Sequence, residues 1–584
     1  MKHLWKYLKD YKKECVLAPL FKLLEACFEL FVPLVIAQIV DKGIVTRDMP
    51  YIIKMGLVLL LLAAVGLASA VTAQFFSAKA AVGFAKKARE ALFAHIQSFS
   101  YSRLDEVGTS TLITRMTADI NQVQSGVNMV LRLFLRSPII VFGAMIMAFT
   151  IDVPSATVFV VTIPLLSVVV FGVMLVTMPL YKKVQARLDA VLSVTRENLT
   201  GVRVIRAFHR EKAEREDFEL KNDLLVDMQV LVGKLSAITN PITYVIINGA
   251  MIALIYLGAL RVDSGILTQG EVVAMVNYMS QILVELVKLA NLIVLLTKAL
   301  SSAGRVGDVF ALTPCKEEEL LSIAAKERVE EKEDAAYIEI NHAHLMYAGS
   351  HEEALTDIHF KVQKGDTVGI IGGTGSGKSS LVNMLAGLYP LSKGEILLDG
   401  KQLSLYDKEE RMNRFGIVPQ KAVLFAGTIR SNLLFGNPDA TEEEMWQALT
   451  LAQAKEVVEG KDGMLDASVT QGGKNFSGGQ RQRLTIARAL VRRPEILILD
   501  DSASALDYAT EGKLREALKS LRGETTTFIV SQRASSIMHA DTIVVLEDGE
   551  MAGVGTHEEL LATCEVYQEI YYSQFPKEGG KTNA

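Results

Sequence analysis

Gly372-Gly373-Thr374-Gly375-Ser376-Gly377-Lys378-Ser379 reads G-x-x-x-x-G-K-[ST] between a strand-like run, Thr367–Ile371, and a helix-like run, Ser380–Leu388. That order is what a phosphate cradle requires. Glycines let backbone N–H groups wrap phosphate oxygens, Lys378 reaches the β- and γ-phosphates, and Ser379 offers a hydroxyl to Mg2+. The helix start that follows, including Ser380, adds a favourable dipole. A second backbone anion site is written at Ser477-Gly478-Gly479-Gln480, where Ser-Gly-Gly opens another helix-like run. Between β-branched and leucine residues, 497–501 reads Leu-Ile-Leu-Asp-Asp, an apolar strand ending in two carboxylates. Phosphoanhydride hydrolysis at such a strand end uses one Asp to organise the metal and a second carboxylate to reach the attacking water. Asp500 fits the first role and Asp501 the second. A Glu in place of Asp501 would extend roughly 1.5 Å further along the chain. A general base must lie within hydrogen-bond distance of its water, and misplacement by ~1 Å costs on the order of 100-fold.

These groups need an α/β domain to hold them, and residues 337–575 have ordinary globular composition. The rest of the chain does not. Half of the 584 residues are hydrophobic, mean hydropathy is +0.27, and the apolar residues concentrate in 14–300. A bilayer-spanning helix takes about 20 mostly apolar residues. Six segments qualify: 15–40, 52–78, 127–150, 155–179, 240–260 and 272–298. Their connections alternate. Segments 41–51, 151–154 and 261–271 are short, whereas 79–126 and 180–239 are long, charged and helix-patterned. The short loops carry three Lys/Arg; the N-terminus and the two long segments carry 5, 6 and 11. Excess Lys/Arg marks the cytoplasmic side, so both termini and both long connections are expected in the cytoplasm, the latter as helical hairpins below the bilayer. Turn signals put the hairpin tips at Leu104–Ser110 and around Phe208-His209-Arg210-Glu211; such tips suit the coupling of a cytoplasmic motor to a membrane domain.

Within the spans, Glu25 and Glu29 share one helix face, as do Arg132 and Arg136. Intramembrane charges face a bundle interior or a wet cavity. The four residues are candidates for a substrate cavity, with the arginines neutralising the acids; a structural hydrogen bond between helices is the alternative. Asn240-Pro241 marks a kink or helix start. Leu4, Trp5, Leu8 and Tyr11 recur at helical spacing among lysines, so 1–13 reads as an interfacial elbow helix. Residues 301–336 lose the membrane pattern and read as a charged linker, and 576–584 as a tail. Net charge is −5, which gives no general affinity for nucleic acid. Cys15, Cys27, Cys315 and Cys564 are scattered, with no metal or disulfide spacing. No cleavable signal peptide is expected.

The Walker-type loop together with Phe476-Ser477-Gly478-Gly479-Gln480 resembles the signature of the ABC transporter superfamily, and the resemblance covers nearly the whole chain. Six spans with long cytoplasmic hairpins followed by one cassette resemble exporter-type half-transporters. The implied fold is a six-span α-helical transmembrane domain followed by an α/β P-loop nucleotide-binding domain. By that resemblance Tyr347 stacks on adenine, Gln420 contacts Mg2+ and senses the membrane domain, Asp500 binds Mg2+ through water, and Ser504-Ala505-Leu506-Asp507 is the D-loop. ATP and Mg2+ are the implied cofactors. Two cassettes would sandwich two ATP molecules, each between one chain's Walker motifs and the other's signature, so a second chain is required. Two positions depart from the pattern: Asp501 stands where the family has Glu, and Gln532, in Ser531-Gln532-Arg533, where it has His. Phe476 for Leu lies outside the anion site. This resembles the degenerate subunit of bacterial heterodimeric multidrug exporters, implying a partner with intact Glu and His, weak turnover at this chain's own site, and export of amphipathic compounds across the cytoplasmic membrane. The alternatives are a homodimer with two slow sites, a lipid flippase or exporter-fold importer, and a nucleotide-gated channel.

Overall fold

The computed structural model describes residues 2–313, 336–347 and 349–575. The tail expected at 576–584 and most of the linker expected at 301–336 lie outside them. The chain divides into two compact units, residues 1–97 with 110–312, and residues 98–109 with 313–584. The first hairpin tip therefore belongs to the second unit.

In the first unit, α1 (Lys2–Trp5) and a 3-10 segment lead into α2 (Lys12–Gln38), followed by α3 (Met49–Gln97). After the tip helix α4 (Tyr101–Val107) come α5 (Thr109–Thr114), α6 (Ile120–Leu133), α7 (Arg136–Ile151), α8 (Val153–Thr200), α9 (Val202–Ala207), α10 (Glu211–Ala237), α11 (Thr239–Asp263) and α12 (Gln269–Ala311). Among the described residues, six helical stretches are long and apolar enough to cross a membrane: Lys6–Ile44, Met49–Gln97, Thr109–Ile151, Val153–Thr200, Glu211–Asp263 and Gln269–Ala311. Only 6% of the most apolar window of α3 is buried. An apolar helix that exposes its leucines is a helix solvated by lipid. Its packed face is small up to Ala81, where Ser69, Ala73, Ser77, Ala80 and Ala81 are buried, and takes Phe84, Leu92 and Ile96 only beyond; small residues let backbones approach without a side-chain layer. Ser77 Oγ donates to the Asn128 carbonyl at 3.0 Å, a polar contact that lipid cannot replace.

The short-loop ends are fastened by caps. Asp152 caps α8, accepting from Ser155 N at 3.0 Å, and pairs with Arg261 at 2.6 Å. Asp41, beyond α2, accepts from Thr268 Oγ at 2.6 Å and Gly270 N at 2.8 Å at the start of α12. Gly270 is required there, because a Cβ would lie 2.3 Å from the Ala37 carbonyl oxygen.

Two boundaries differ from expectation. The third span breaks between Leu133 and Arg136; Pro138 offers no N–H and restricts the residue before it, so the helix restarts just upstream. The sixth helix continues past 300 to Ala311 because Ser302, Ala303, Val306 and Val309 keep one buried face. The tips at 104–110 and 208–211 are entered by the short helices α4 and α9, with Gly108 (φ +77) turning the chain after α4. The Asn240-Pro241 signal falls in the first turn of α11 (Thr239–Asp263), after a break at Ile238.

The second unit holds strands β1 (Ile338–Leu345), β2 (Leu355–Val362), β3 (Thr367–Gly372), β4 (Lys393–Leu398), β5 (Lys401–Gln402), β6 (Phe415–Val418), β7 (Gly427–Thr428), β8 (Ser468–Val469), β9 (Ile496–Asp500), β10 (Thr526–Val530), β11 (Thr542–Glu547) and β12 (Glu550–Gly555). A six-stranded sheet runs β12-β11-β3-β10-β9-β6, with an antiparallel sheet β2-β1-β4-β5 beside it. Strands β11, β3, β10, β9 and β6 are parallel. Every residue of β9 is buried, as a parallel strand covered on both faces requires.

Candidate nucleotide site and family

Ligands of parallel α/β sheets bind beyond the carboxyl ends of the strands. The order β3-β10-β9 puts the Gly-rich loop, Ser531-Gln532 and Asp500-Asp501 on three adjacent strand ends. Backbone bonds lock that edge: Asp501 N donates to Val530 O at 3.1 Å, and Ser531 N to Ile370 O at 3.0 Å. In the loop, Gly375 (φ +88) and Gly377 (φ +94) take left-handed conformations, which glycine adopts without penalty. A Cβ on Gly372 would meet the Leu546 carbonyl oxygen at 2.2 Å. Gly373 and Thr374 form the outer turn, while Ser376 is buried. Lys378 opens the helix Lys378–Leu385, and its Nζ donates to the Gly372 and Gly373 carbonyls at 2.9 and 2.5 Å. Burial pulls the Lys378 ammonium below its ordinary pKa, opposed by the charges of Asp501 and Asp500.

Ser379 Oγ donates to Asp500 Oδ1 at 3.4 Å. Burial raises the Asp500 carboxyl above its ordinary range, and Asp501 adds to that, while Ser379 and Lys378 oppose it. A desolvated carboxylate beside a hydroxyl is a hard-oxygen set that a divalent cation would neutralise, so these residues fit Mg2+. Gln420 Nε2 donates to Asp501 Oδ2 at 3.4 Å, adding an amide oxygen on the same side. Asp501 itself has φ +44, a left-handed backbone that Asp tolerates better than most residues with longer side chains. Gln532 is exposed, and its carbonyl accepts from Gln574 Nε2 at 2.8 Å.

Tyr347 Oη donates to Ser380 Oγ at 3.1 Å. Its ring meets Tyr389 edge-on, with centroids 5.0 Å apart. Tyr389 in turn hydrogen-bonds the Asp105 carboxylate in the hairpin tip, with Tyr101 at 6.2 Å. Burial first, then Asp105, pushes the Tyr389 phenol up. Tyr389 is a site residue that sequence reading missed: its partner is 284 positions away, and no local pattern marks it.

The Ser-Gly-Gly site stands on a different core. The Walker strand and helix pack with Val368, Ile370, Leu381 and Val382. Phe476 is buried among Leu484, Ile486 and Leu499, so the Phe-for-Leu change points inward. Ser477 caps the helix Gly478–Leu490, its Oγ accepting from Gln480 N and its own N–H donating to Gln480 Oε1 at 3.0 Å. Ser477 and Gly478 face outward. A Cβ on Gly479 would press the Ala505 carbonyl at 3.1 Å. Asp507 caps the helix Tyr508–Lys519, accepting from Thr510 N at 2.8 Å; that bond holds its carboxyl below the ordinary range.

In the first unit, the charged span residues form one network. Arg136 donates to Glu285 Oε1 and to Glu29 Oε2, each at 2.6 Å. Glu285 also accepts from Ser137 and Lys288, each at 2.8 Å. Glu25 pairs with Lys22 at 2.6 Å and lies 3.9 Å from Arg136 Nε. Arg132, expected beside Arg136, joins no ion pair among the described residues, although Phe134 and Leu135 between α6 and α7 keep helical dihedrals. Glu285 was missed in sequence, although a lone carboxylate inside an apolar span carries the same signal as Glu25 and Glu29.

Two family models match: ABC transporter transmembrane region over residues 15–286, and ABC transporter over residues 355–504. An uncharacterized ABC transporter ATP-binding protein of Mycobacterium tuberculosis is 35% identical over 571 residues, 97% of each chain. An ATP-dependent lipid A-core flippase of Yersinia pestis is 28% identical over 579 residues, 98% of this chain and 97% of that one. A solved bacterial Atm1-family ABC exporter with ATP bound superposes with TM-score 0.75 at 22% identity, covering 98% of this chain and 99% of that one. With six apolar helices ahead of a nucleotide cassette, and relatives aligned end to end, the chain belongs to the ABC transporter family and is an exporter-type half-transporter, a multi-pass membrane protein whose ATPase domain drives transport.

Proposed function

We propose that the chain is the degenerate-site half of a heterodimeric exporter that moves hydrophobic and amphipathic compounds out across the cytoplasmic membrane, with both termini in the cytoplasm. The observation that carries this reading is the division among its ATP-handling groups. Everything built from backbone is in place: the Gly372–Ser379 cradle and the outward-facing Ser477-Gly478 N-terminus. The two side chains that must reach a water are altered, to Asp501 and Gln532. This chain would hold ATP at its own Walker site with little turnover, and its signature would complete the working site of a partner that has Glu and His. ATP sandwiching draws the cassettes together; hydrolysis at the partner's site resets them. Glu29 and Lys288, the exposed ends of the Arg136 network at 38% and 42% side-chain exposure, are offered as the contact for charged substrate groups.

ATPase activity of the purified pair tests this. Removal of the partner's catalytic Glu is expected to abolish turnover, while Asp501→Ala leaves most of it. Equal loss from the two would sink the reading in favour of two equivalent sites. A second reading, a lipid flippase, draws on the relative named for lipid A-core flipping; movement of labelled lipid rather than drug in proteoliposomes separates the two.

A further inference from the structure

At the N-terminal end of α2 the first unit contains an apolar cavity of ≈ 540 Å³, within the size range of ligand pockets. Its walls are Trp5 and Leu8 of the elbow, Phe84 of α3, Val123 and Val130 of α6, and Leu300 of α12. The floor is tight, since Gly126 allows Ala299 to approach so closely that a Cβ would sit 2.3 Å from the Ala299 methyl. Two cations, Lys9 and Lys12, stand at the mouth, and both are exposed. The acids nearest them in sequence are occupied: Asp10 pairs with Lys87, and Glu14 with Lys79 at 2.8 Å. Lys9 and Lys12 therefore form no ion pair among the described residues. An apolar cavity with uncompensated ammonium groups at its rim is complementary to one chemistry, an acyl chain carrying an anionic head.

We propose that this cavity binds an anionic phospholipid, its acyl chain between the elbow and α6/α12 and its phosphate at Lys9 and Lys12. The lipid would pin the elbow against α3, α6 and α12. The occupant comes from the leaflet that the N-terminus faces. Each lysine beside an anionic surface favours the anionic lipid about fivefold.

The test uses Trp5 as its reporter. The chain has two tryptophans, so Trp446→Phe, in an assembly whose partner has its tryptophans replaced by Phe, leaves Trp5 alone. In nanodiscs holding the assembled transporter, phosphatidylglycerol brominated on its acyl chain should quench Trp5 at a several-fold lower mole fraction than brominated phosphatidylcholine. Lys9→Gln with Lys12→Gln should bring the two lipids together, and Val127→Phe, which fills the cavity, should remove the high-affinity component. Equal quenching by both lipids in the unaltered chain would mean ordinary bilayer contact and overturn the proposal. Preference surviving in the double-lysine variant would also overturn it, and this surface variant remains informative if Val127→Phe fails to fold. Quenching confined to the chain without its partner would show that a partner helix is the occupant, and the lipid site would be discarded.

Discussion

Replacing Arg136 with Met tests whether the intramembrane charges act as one unit. The guanidinium is 9% exposed and bonds Glu285, itself 3% exposed, and Glu29. Removing one partner of a buried pair typically costs about 3–5 kcal/mol, because the other charge stays buried and unpaired. Glu285 would retain Lys288 and Ser137, and Glu29 reaches solvent, so the lower end, about 3 kcal/mol, applies. Arg136→Met with Glu285→Gln removes both buried charges together, and such paired replacements are often close to neutral. The double variant should therefore recover about 2 kcal/mol of the loss, and with the Glu285→Gln single variant measured as well the coupling is at least that large, within the range for residues in one network. For a unit this large each kcal/mol moves the unfolding midpoint by roughly 2 °C. The single variant should melt about 6 °C lower in detergent, read by size-exclusion after heating, and the double within about 2 °C of the parent. If the double variant loses as much as the two single variants summed, the network is not coupled and its acids are solvated separately.

Asp501→Glu with Gln532→His should raise turnover at this chain's Walker site by about 100-fold, measured in a pair whose partner lacks its catalytic Glu; unchanged turnover would mean that reach is not what limits it. Tyr347→Ala removes the stacking platform and should weaken ATP binding about tenfold, since one aromatic–base stack is worth about 1–3 kcal/mol; equilibrium binding of a fluorescent ATP analogue reads it, and unchanged affinity would dismiss Tyr347 as the platform. Tyr389→Phe keeps the ring against Tyr347 but loses the bond to Asp105. ATP affinity should stay within about twofold while substrate stimulation of ATPase falls, because a lost neutral-to-charged hydrogen bond costs about 1.5–3 kcal/mol. Stimulation equal to that of the parent would remove Tyr389 from the coupling path.

What was legible in the sequence is what depends on local order. The cradle is contiguous, its strand and helix flank it, and glycine at positive φ is declared by residue type, so Gly372–Ser379 could be placed to the residue. Spans were legible because lipid demands length and apolarity, and little else in a chain satisfies both. Long-range pairing was not. Glu25, Glu29 and Arg136 were readable as charges in the wrong solvent, but their junction with Glu285 depends on how α2, α7 and α12 pack. Arg132 shows the limit from the other side: helical spacing proposes a shared face with Arg136, but which side chains find a partner depends on the helices packed against that face. Tyr389 was invisible because the tip that meets it lies in another half of the sequence and only folding makes them neighbours.

Asp501 joins these levels. Its position was read as a loss of reach, from side-chain length alone. The structure adds its backbone conformation, which sequence could not supply. At φ +44 the Cβ of any L-residue crowds the backbone, and Asp, whose short polar side chain bonds locally, is among the better tolerated. A Glu held in such a conformation stores strain of the kind found at functional sites, and what sustains it is the chemistry it performs. Under the reading proposed here that chemistry has moved to the partner's site. The same backbone then holds the shorter acid at lower cost, its Oδ2 within reach of Gln420, while Lys378, Ser379 and Asp500 keep their contacts. Groups that bind through backbone N–H are indifferent to the change, and the group that must extend into the site is the one that has shortened. Under the proposed reading, nucleotide retention and slow turnover are separable on one strand end.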